Sequence, residues 1–224
     1  MLPGPVFLGL FPLWLDLAIA AIGWVWFVNL FNFMDGIDGI SGVEATCIGG
    51  GIALVGFLAL GSQSTLPWHG LIIAAAATGF LVWNWHPAKI FLGDIGSIPL
   101  GYLLGWLLLL LAASGYLPAA IILPLYYLVD ATLTLLRRLQ RGEKVWQAHR
   151  EHYYQKAVQN GRTHAQVSIA VALTNTGLVA LAVLTTIAGP ESFWSWSAVL
   201  AALFLVIGLL VWMKRSNLSP NMSD

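Results

Sequence analysis

Charge is scarce in this chain. Only 9% of its 224 residues are Asp, Glu, Lys or Arg, against roughly 25% in soluble domains, so an ordinary water-facing globular surface is excluded. Ten acids balance ten bases, and without a basic excess no nucleic-acid partner is expected. A single cysteine, Cys47, excludes an internal disulfide, and its place in an apolar run makes it a small packing residue. No basic stretch precedes the first apolar run, so no cleavable signal is expected. Linkers, repeats and low-complexity tracts are lacking too, and residues 1–224 are expected to form a single transmembrane domain.

What the chain does have is hydrocarbon. Hydrophobic residues make up 58% of it, with a mean hydropathy of +0.80. Seven runs of about 20 apolar residues, each long enough to cross a bilayer, lie at 14–34, 42–60, 67–85, 95–113, 117–136, 163–188 and 193–213. Spanning strands would be shorter and would alternate polar with apolar residues, so the expected fold is an all-α polytopic transmembrane bundle of about seven helices. With residue 34 leaving the membrane on one side, all ten bases fall on that side: Lys89, Arg137, Arg138, Arg141, Lys144, Arg150, Lys156, Arg162, Lys214 and Arg215. Bases mark the cytoplasmic face. This places the N-terminus outside, the C-terminus in the cytoplasm, and the chain in the plasma (inner) membrane.

Three polar islands then share the cytoplasmic face. In 29–42, Asn29, Asn32, Asp35 and Asp38 follow at three-residue intervals, with Gly36 and Gly39 after the acids. On a helix they would form one polar stripe, and the acids suit a shared divalent cation. A frayed helix end with a glycine stop accounts for the same residues. In 91–97, Asp94 stands between Gly93 and Gly96, and Ser97 is placed to cap the fourth helix, with Pro99 in its first turn. That arrangement would bind an anion, and a plain capped turn is the simpler account. In 148–155, His149 and His152 would lie one helical turn apart beside Arg150, suiting a diphosphate. A basic helix over 137–156 resting on anionic lipid is the alternative. Asp130 and Glu44 are further acids near this face. Asp130, seven residues before Arg137, is a functional candidate as an acid within a span, with pairing to a basic residue as the competing account, while Glu44 is given no role.

In order and spacing these islands, Asn29-x-x-Asn32-x-x-Asp35-Gly-Ile-Asp38-Gly, Phe91-Leu-Gly-Asp94-Ile-Gly-Ser97 and His149-Arg-x-His152-x-Tyr-Gln155, resemble the polyprenyl-phosphate N-acetylhexosamine-1-phosphate transferases, of glycosyltransferase family 4 type. The third island looks more like the O-antigen initiating enzymes than the peptidoglycan enzyme. The resemblance implies transfer of a sugar 1-phosphate from a UDP-sugar to polyprenyl phosphate, with release of UMP. It implies dependence on magnesium, with manganese as a substitute. By this resemblance Asp35, Asp38 and Asp94 are catalytic, with Asp94 and Asp35 on the metal. Asn29, Asn32, Lys89, Ser97, His149, Arg150 and His152 bind substrate. The partners implied are polyprenyl phosphate, a UDP-N-acetylhexosamine-type nucleotide and membrane lipid, with a homodimer admitted.

The match reads as the C-terminal two-thirds of the family fold. The family's N-terminal helices and the Asp-Asp pair between them have no counterpart before Asn29, where the only acid is Asp16. An inactive truncated copy or partner subunit is therefore an alternative to an enzyme. An ion- or proton-coupled transporter using Asp35, Asp38 and Asp130 is another.

Overall fold

The computed structural model describes residues 2–144, 147 and 149–215, and among them it holds helices and turns but no strand. The helices are α1 (Leu13–Phe33), α2 (Ile40–Leu60), α3 (Leu66–Asn84), α4 (Gly93–Leu111), α5 (Leu117–Ile122), α6 (Leu125–Gln140), α7 (Tyr153–Gln159), α8 (His164–Ala188) and α9 (Phe193–Lys214). The all-α polytopic bundle is thus the fold observed. Its exterior is apolar: Ile22, Val25, Val82, Ile95, Leu173, Ile187 and Phe204 are all exposed, a surface that only lipid can cover without cost.

Among the described residues six stretches are long and apolar enough to span, with Gly93–Ile122 counted as one. The fifth expected run, 117–136, is divided. Proline lacks the N–H that would continue a helix, and α5 and α6 part at Leu123 and Pro124. Beyond the break, α6 carries Asp130, Thr134 and Arg138 at four-residue spacing, all buried. A helix with that stripe faces polar partners along one side.

Small residues set the closest packing. A Cβ on Gly70 of α3 would stand 2.7 Å from the Gly49 carbonyl oxygen and 3.0 Å from the Ala53 nitrogen, both in α2. In lipid, where apolar contact gives helices little reason to associate, such backbone approach supplies the attraction through dispersion. At the end of the bundle near Asp16, a fully buried carboxylate accepts from the amides of Val6 and Phe7 at 2.8 and 2.9 Å. The polar groups of the three islands collect at the opposite end. There the C-termini of α1, α3, α6 and α9 meet the N-termini of α2, α4, α7 and α8.

Replacing Gly70 by Val is expected to destabilise the bundle by about 1–3 kcal/mol, because helix backbone has to move. Gly50→Ala, whose Cβ meets nothing within 4 Å, is expected to stay within about 0.5 kcal/mol. Thermal unfolding in detergent micelles checks both, and equal melting for the two variants would contradict the packing described.

Candidate active site

The first island is helical only in part. α1 ends at Phe33 with Met34 as its cap, so Asn29 and Asn32 share a helix whereas Asp35 and Asp38 lie in the turn beyond it. The four-residue stripe expected from the spacing does not form. Asn32 points at the second island, where its Nδ2 donates to Asp94 Oδ1 and to Ser97 Oγ, each at 2.8 Å. Ser97 is fully buried and does not cap α4. The helix starts four residues earlier, at Gly93, with Asp94 in its first turn and Pro99 inside it. Asp94 is exposed.

Asp35 sits beside this group. Burial pushes its carboxyl above the ordinary range and the nearby negative charge of Asp94 adds to that, while hydrogen bonds from Ser41 and the Gly93 amide pull the other way. Asp35 and Asp94 together present hard oxygen donors on neighbouring elements.

The third island reaches the first through Tyr154. Its hydroxyl donates to the Phe33 carbonyl at 3.2 Å and occupies the space where Gly36 has no side chain, since a Cβ there would overlap it. Asp130 puts Tyr154 in place. Fully buried on α6, it accepts from the amides of Tyr153 and Tyr154 at 3.0 and 3.4 Å, the first-turn donors that a helix leaves unpartnered. Asp130 is engaged in this capping, and Arg137, the basic residue of the competing account, lies over the Tyr153 ring.

His149 and His152 are not on one helix as expected. His152 is the N-cap residue of α7, His149 precedes it in irregular chain, and the two rings stand 4.8 Å apart. His152 is buried, parallel to Tyr154, with Nδ1 3.4 Å from Asp130 Oδ1. His149 is held down at about 4, first by burial and then by the positive charge of His152 and Arg138. A single basic helix over 137–156 is absent among the described residues, because α6 stops at Gln140. Val145, Trp146 and Ala148 lie outside them. In place of that helix, buried Arg138 donates to Glu143 Oε2 at 2.9 Å and to the carbonyls of Lys144 and Gln147, drawing the connection into a loop.

Asp38 turns elsewhere. His86 donates from Nδ1 to Asp38 Oδ2 at 2.6 Å, Ala88 donates its amide to the same oxygen at 3.2 Å, and His164 Nδ1 is 3.3 Å away. Burial raises the carboxyl, but these bonds outweigh it and the net displacement is downward. Gly39, at φ 82, follows in the left-handed region where only glycine is unstrained, and its amide donates to buried Asn84 at 3.0 Å.

Three expected ligand residues are not drawn in by a side-chain bond. Asn29 donates back to Val25 of its own helix at 2.7 Å. Lys89 lies over the Trp83 ring. Arg150 is exposed, and its carbonyl accepts from Gln159. His86, His164 and Asn84 joined the site without having been expected there, and Tyr154, quoted in the third island, was given no role of its own. Their signal was position, since each lies at or beyond a span end on the face already marked by the bases.

Comparisons with known proteins give a consistent picture. Residues 2–112, which hold the first two islands, match the family described as Glycosyl transferase family 4. The chain is 26% identical over 164 residues to the "Probable undecaprenyl-phosphate N-acetylglucosaminyl 1-phosphate transferase" of Bacillus subtilis, covering 68% of this chain and 46% of that protein. It is 28% identical over 139 residues to the decaprenyl-phosphate N-acetylglucosaminephosphotransferase of Mycobacterium leprae, covering 52% of this chain and 33% of the relative. With the phospho-N-acetylmuramoyl-pentapeptide-transferase of Moorella thermoacetica it shares 41% identity over 64 residues, 28% of this chain and 20% of the relative. The chain thus spans less than half the length of each of these curated relatives.

His149 gives the site a pH signature. Between about 4 and 6.5 the unfolded chain holds more proton at this position than the folded one, so stability rises with pH across that window. His149→Gln is expected to flatten the rise in melting temperature between pH 4 and pH 6.5. An unchanged profile would contradict the burial of a neutral imidazole.

Proposed function

Because the chain belongs to glycosyl transferase family 4, we propose that it transfers a sugar 1-phosphate of N-acetylhexosamine type from a UDP-sugar to a polyprenyl phosphate, releasing UMP. An oxygen of the lipid phosphate bonds to the phosphorus that carries the sugar, and the bridging bond from that phosphorus to UMP breaks. The names of the relatives from Bacillus and Mycobacterium, which state a polyprenyl phosphate and N-acetylglucosamine phosphate, support this reading. The observation that carries it is the convergence of Asp94, Asn32 and Asp35 with the His149 to Tyr154 segment at one end of an apolar bundle.

Phosphoryl transfer between anions needs charge neutralisation and alignment more than covalent help. The oxygen donors Asp35 and Asp94, each close enough to feel the other's charge, fit magnesium, which takes one or two carboxylates and fills its shell with substrate oxygens. Manganese suits the same donors. When bound, such an ion neutralises the diphosphate. Asn32 holds the Asp94 carboxylate through its amide. His149 and Arg150 supply donors for the nucleotide phosphates, while buried His152 and Tyr154 set the position of that segment. The lipid phosphate is already anionic and nucleophilic, so a dedicated base is unnecessary. Asp38, engaged by His86 and His164, shapes the turn from the opposite side.

In this reading the chain lies in the plasma membrane with this end in the cytoplasm, and the distribution of Lys and Arg supports that orientation. A transport path has less support, because the acids it would use are committed. Asp130 is spent on capping α7 and Asp38 on two imidazoles.

Radiolabelled UDP-GlcNAc and undecaprenyl phosphate in detergent with magnesium are expected to give a lipid-linked product and UMP. Asp94→Asn should lower the rate at least about 100-fold, the scale seen when one charge-stabilising group is removed from an active site. Product formation by that variant at the unaltered rate would overturn the role given to Asp94.

A further inference from the structure

Asp38 and His86 come from two inter-helix connections and His164 from the first turn of α8, yet each offers one ligand atom, and these atoms lie within 4.8 Å of one another. His164 Nδ1 stands 3.3 Å from the Asp38 carboxylate oxygen and 3.4 Å from the Asp38 amide nitrogen, so this ring nitrogen is held at the carboxylate. His86 Nδ1, 2.6 Å from the same oxygen, completes a three-donor set.

We propose that Asp38, His86 and His164 bind one transition-metal dication of the zinc class. This second site is chemically distinct from the all-oxygen Asp35 and Asp94 pair. Two imidazoles and one carboxylate favour zinc and its first-row neighbours over magnesium. The Asp38 side of the set is held in place by its own contacts. Ser168 donates to the Asp38 carbonyl at 2.8 Å, Asn84 accepts the Gly39 amide, and Ala88 donates to the coordinating oxygen. Such supporting contacts orient ligands before the metal arrives. The side chains are 39%, 14% and 32% exposed for His86, Asp38 and His164, so an ion can enter from solvent and keep a water on its open position. When His86 ligates through Nδ1, its ring hydrogen sits on Nε2, and the ion would tie the α1–α2 and α3–α4 connections to the start of α8. The proposal does not depend on the transferase reading, which uses Asp35 and Asp94.

The test uses the full chain in detergent, stripped of metal by chelation and titrated with zinc alone by calorimetry. One zinc per chain is expected. The paired substitution His86→Ala with His164→Ala should weaken its binding at least about 100-fold, the upper end of what even a supporting contact contributes. Asp94→Asn and His149→Ala should leave it unchanged. Copper(II) loaded into the unsubstituted chain gives a readout that needs no variant, because its paramagnetic resonance spectrum is expected to show coupling to two imidazole nitrogens. Absence of zinc uptake, uptake that survives the paired substitution, or a copper signal coupled to fewer than two nitrogens would overturn the site. Loss of transferase activity in Asp94→Asn with zinc uptake intact would leave both readings standing separately.

Discussion

A carboxylate that is fully buried needs partners, and the one on Asp130 finds them in the first amides of α7. The need is mutual. α7 has seven residues, too few to hold a helix by its own hydrogen bonds, and its free N-terminal amides need an acceptor. Once α7 is fixed, Tyr154 points at the end of α1, and the absence of a side chain at Gly36 lets its hydroxyl reach the Phe33 carbonyl. A polar segment more than 110 residues further along is thereby docked on the first island. The assembly of the site therefore rests on an acid that touches no proposed substrate.

The connection between α6 and α7 is organised by the same rule. Arg138 is nearly fully buried and is matched to Glu143 and two backbone carbonyls, as a guanidinium removed from water has to be. The outer pairs of Arg141 with Glu143 and Glu151 are half exposed. Such pairs contribute little individually, but they raise the arginine and lower both glutamates in the same direction. They bring Glu143 and Glu151 together beside the buried arginine. His149 is carried on that loop beside His152 and is kept neutral by burial and by its cationic neighbours. A neutral imidazole at a cationic site can gain a proton when an anion arrives, which suits a residue assigned to nucleotide phosphates.

Most of the fold was legible because lipid tolerates few alternatives: apolar runs of spanning length must be helices. Their ends fell within two or three residues of those read from hydropathy. The exception is 117–136, where hydropathy ran through Pro124 and counted one span in place of two helices. In the site, the convergence of Asn32, Asp35 and Asp94 could be read from spacing and sidedness. The stripe of four could not, because helical periodicity was carried past Met34 into a turn. Ser97 was misplaced for a related reason. A Ser before Pro resembles an N-cap, yet α4 begins at Gly93, whose positive φ of 59 admits the chain reversal there. His86 and His164 carry no local pattern, and only the folding of distant connections makes them neighbours.

The repeated Asp-Gly of the first island therefore serves two environments. Asp35 is driven upward by burial and by a second acid, a condition that favours a dication or a proton arriving among hard oxygens. Asp38, despite burial, is driven downward by imidazole and amide donors, so it keeps its charge and binds nitrogen ligands. Three residues outside a helix suffice to aim two identical side chains at different neighbours, because Gly36 lets Tyr154 in close and Gly39 reverses the chain at φ 82. A shared cation between Asp35 and Asp38 would require both to face one point. Their distinct partners set the turn between an acid pair on one side and two imidazoles on the other.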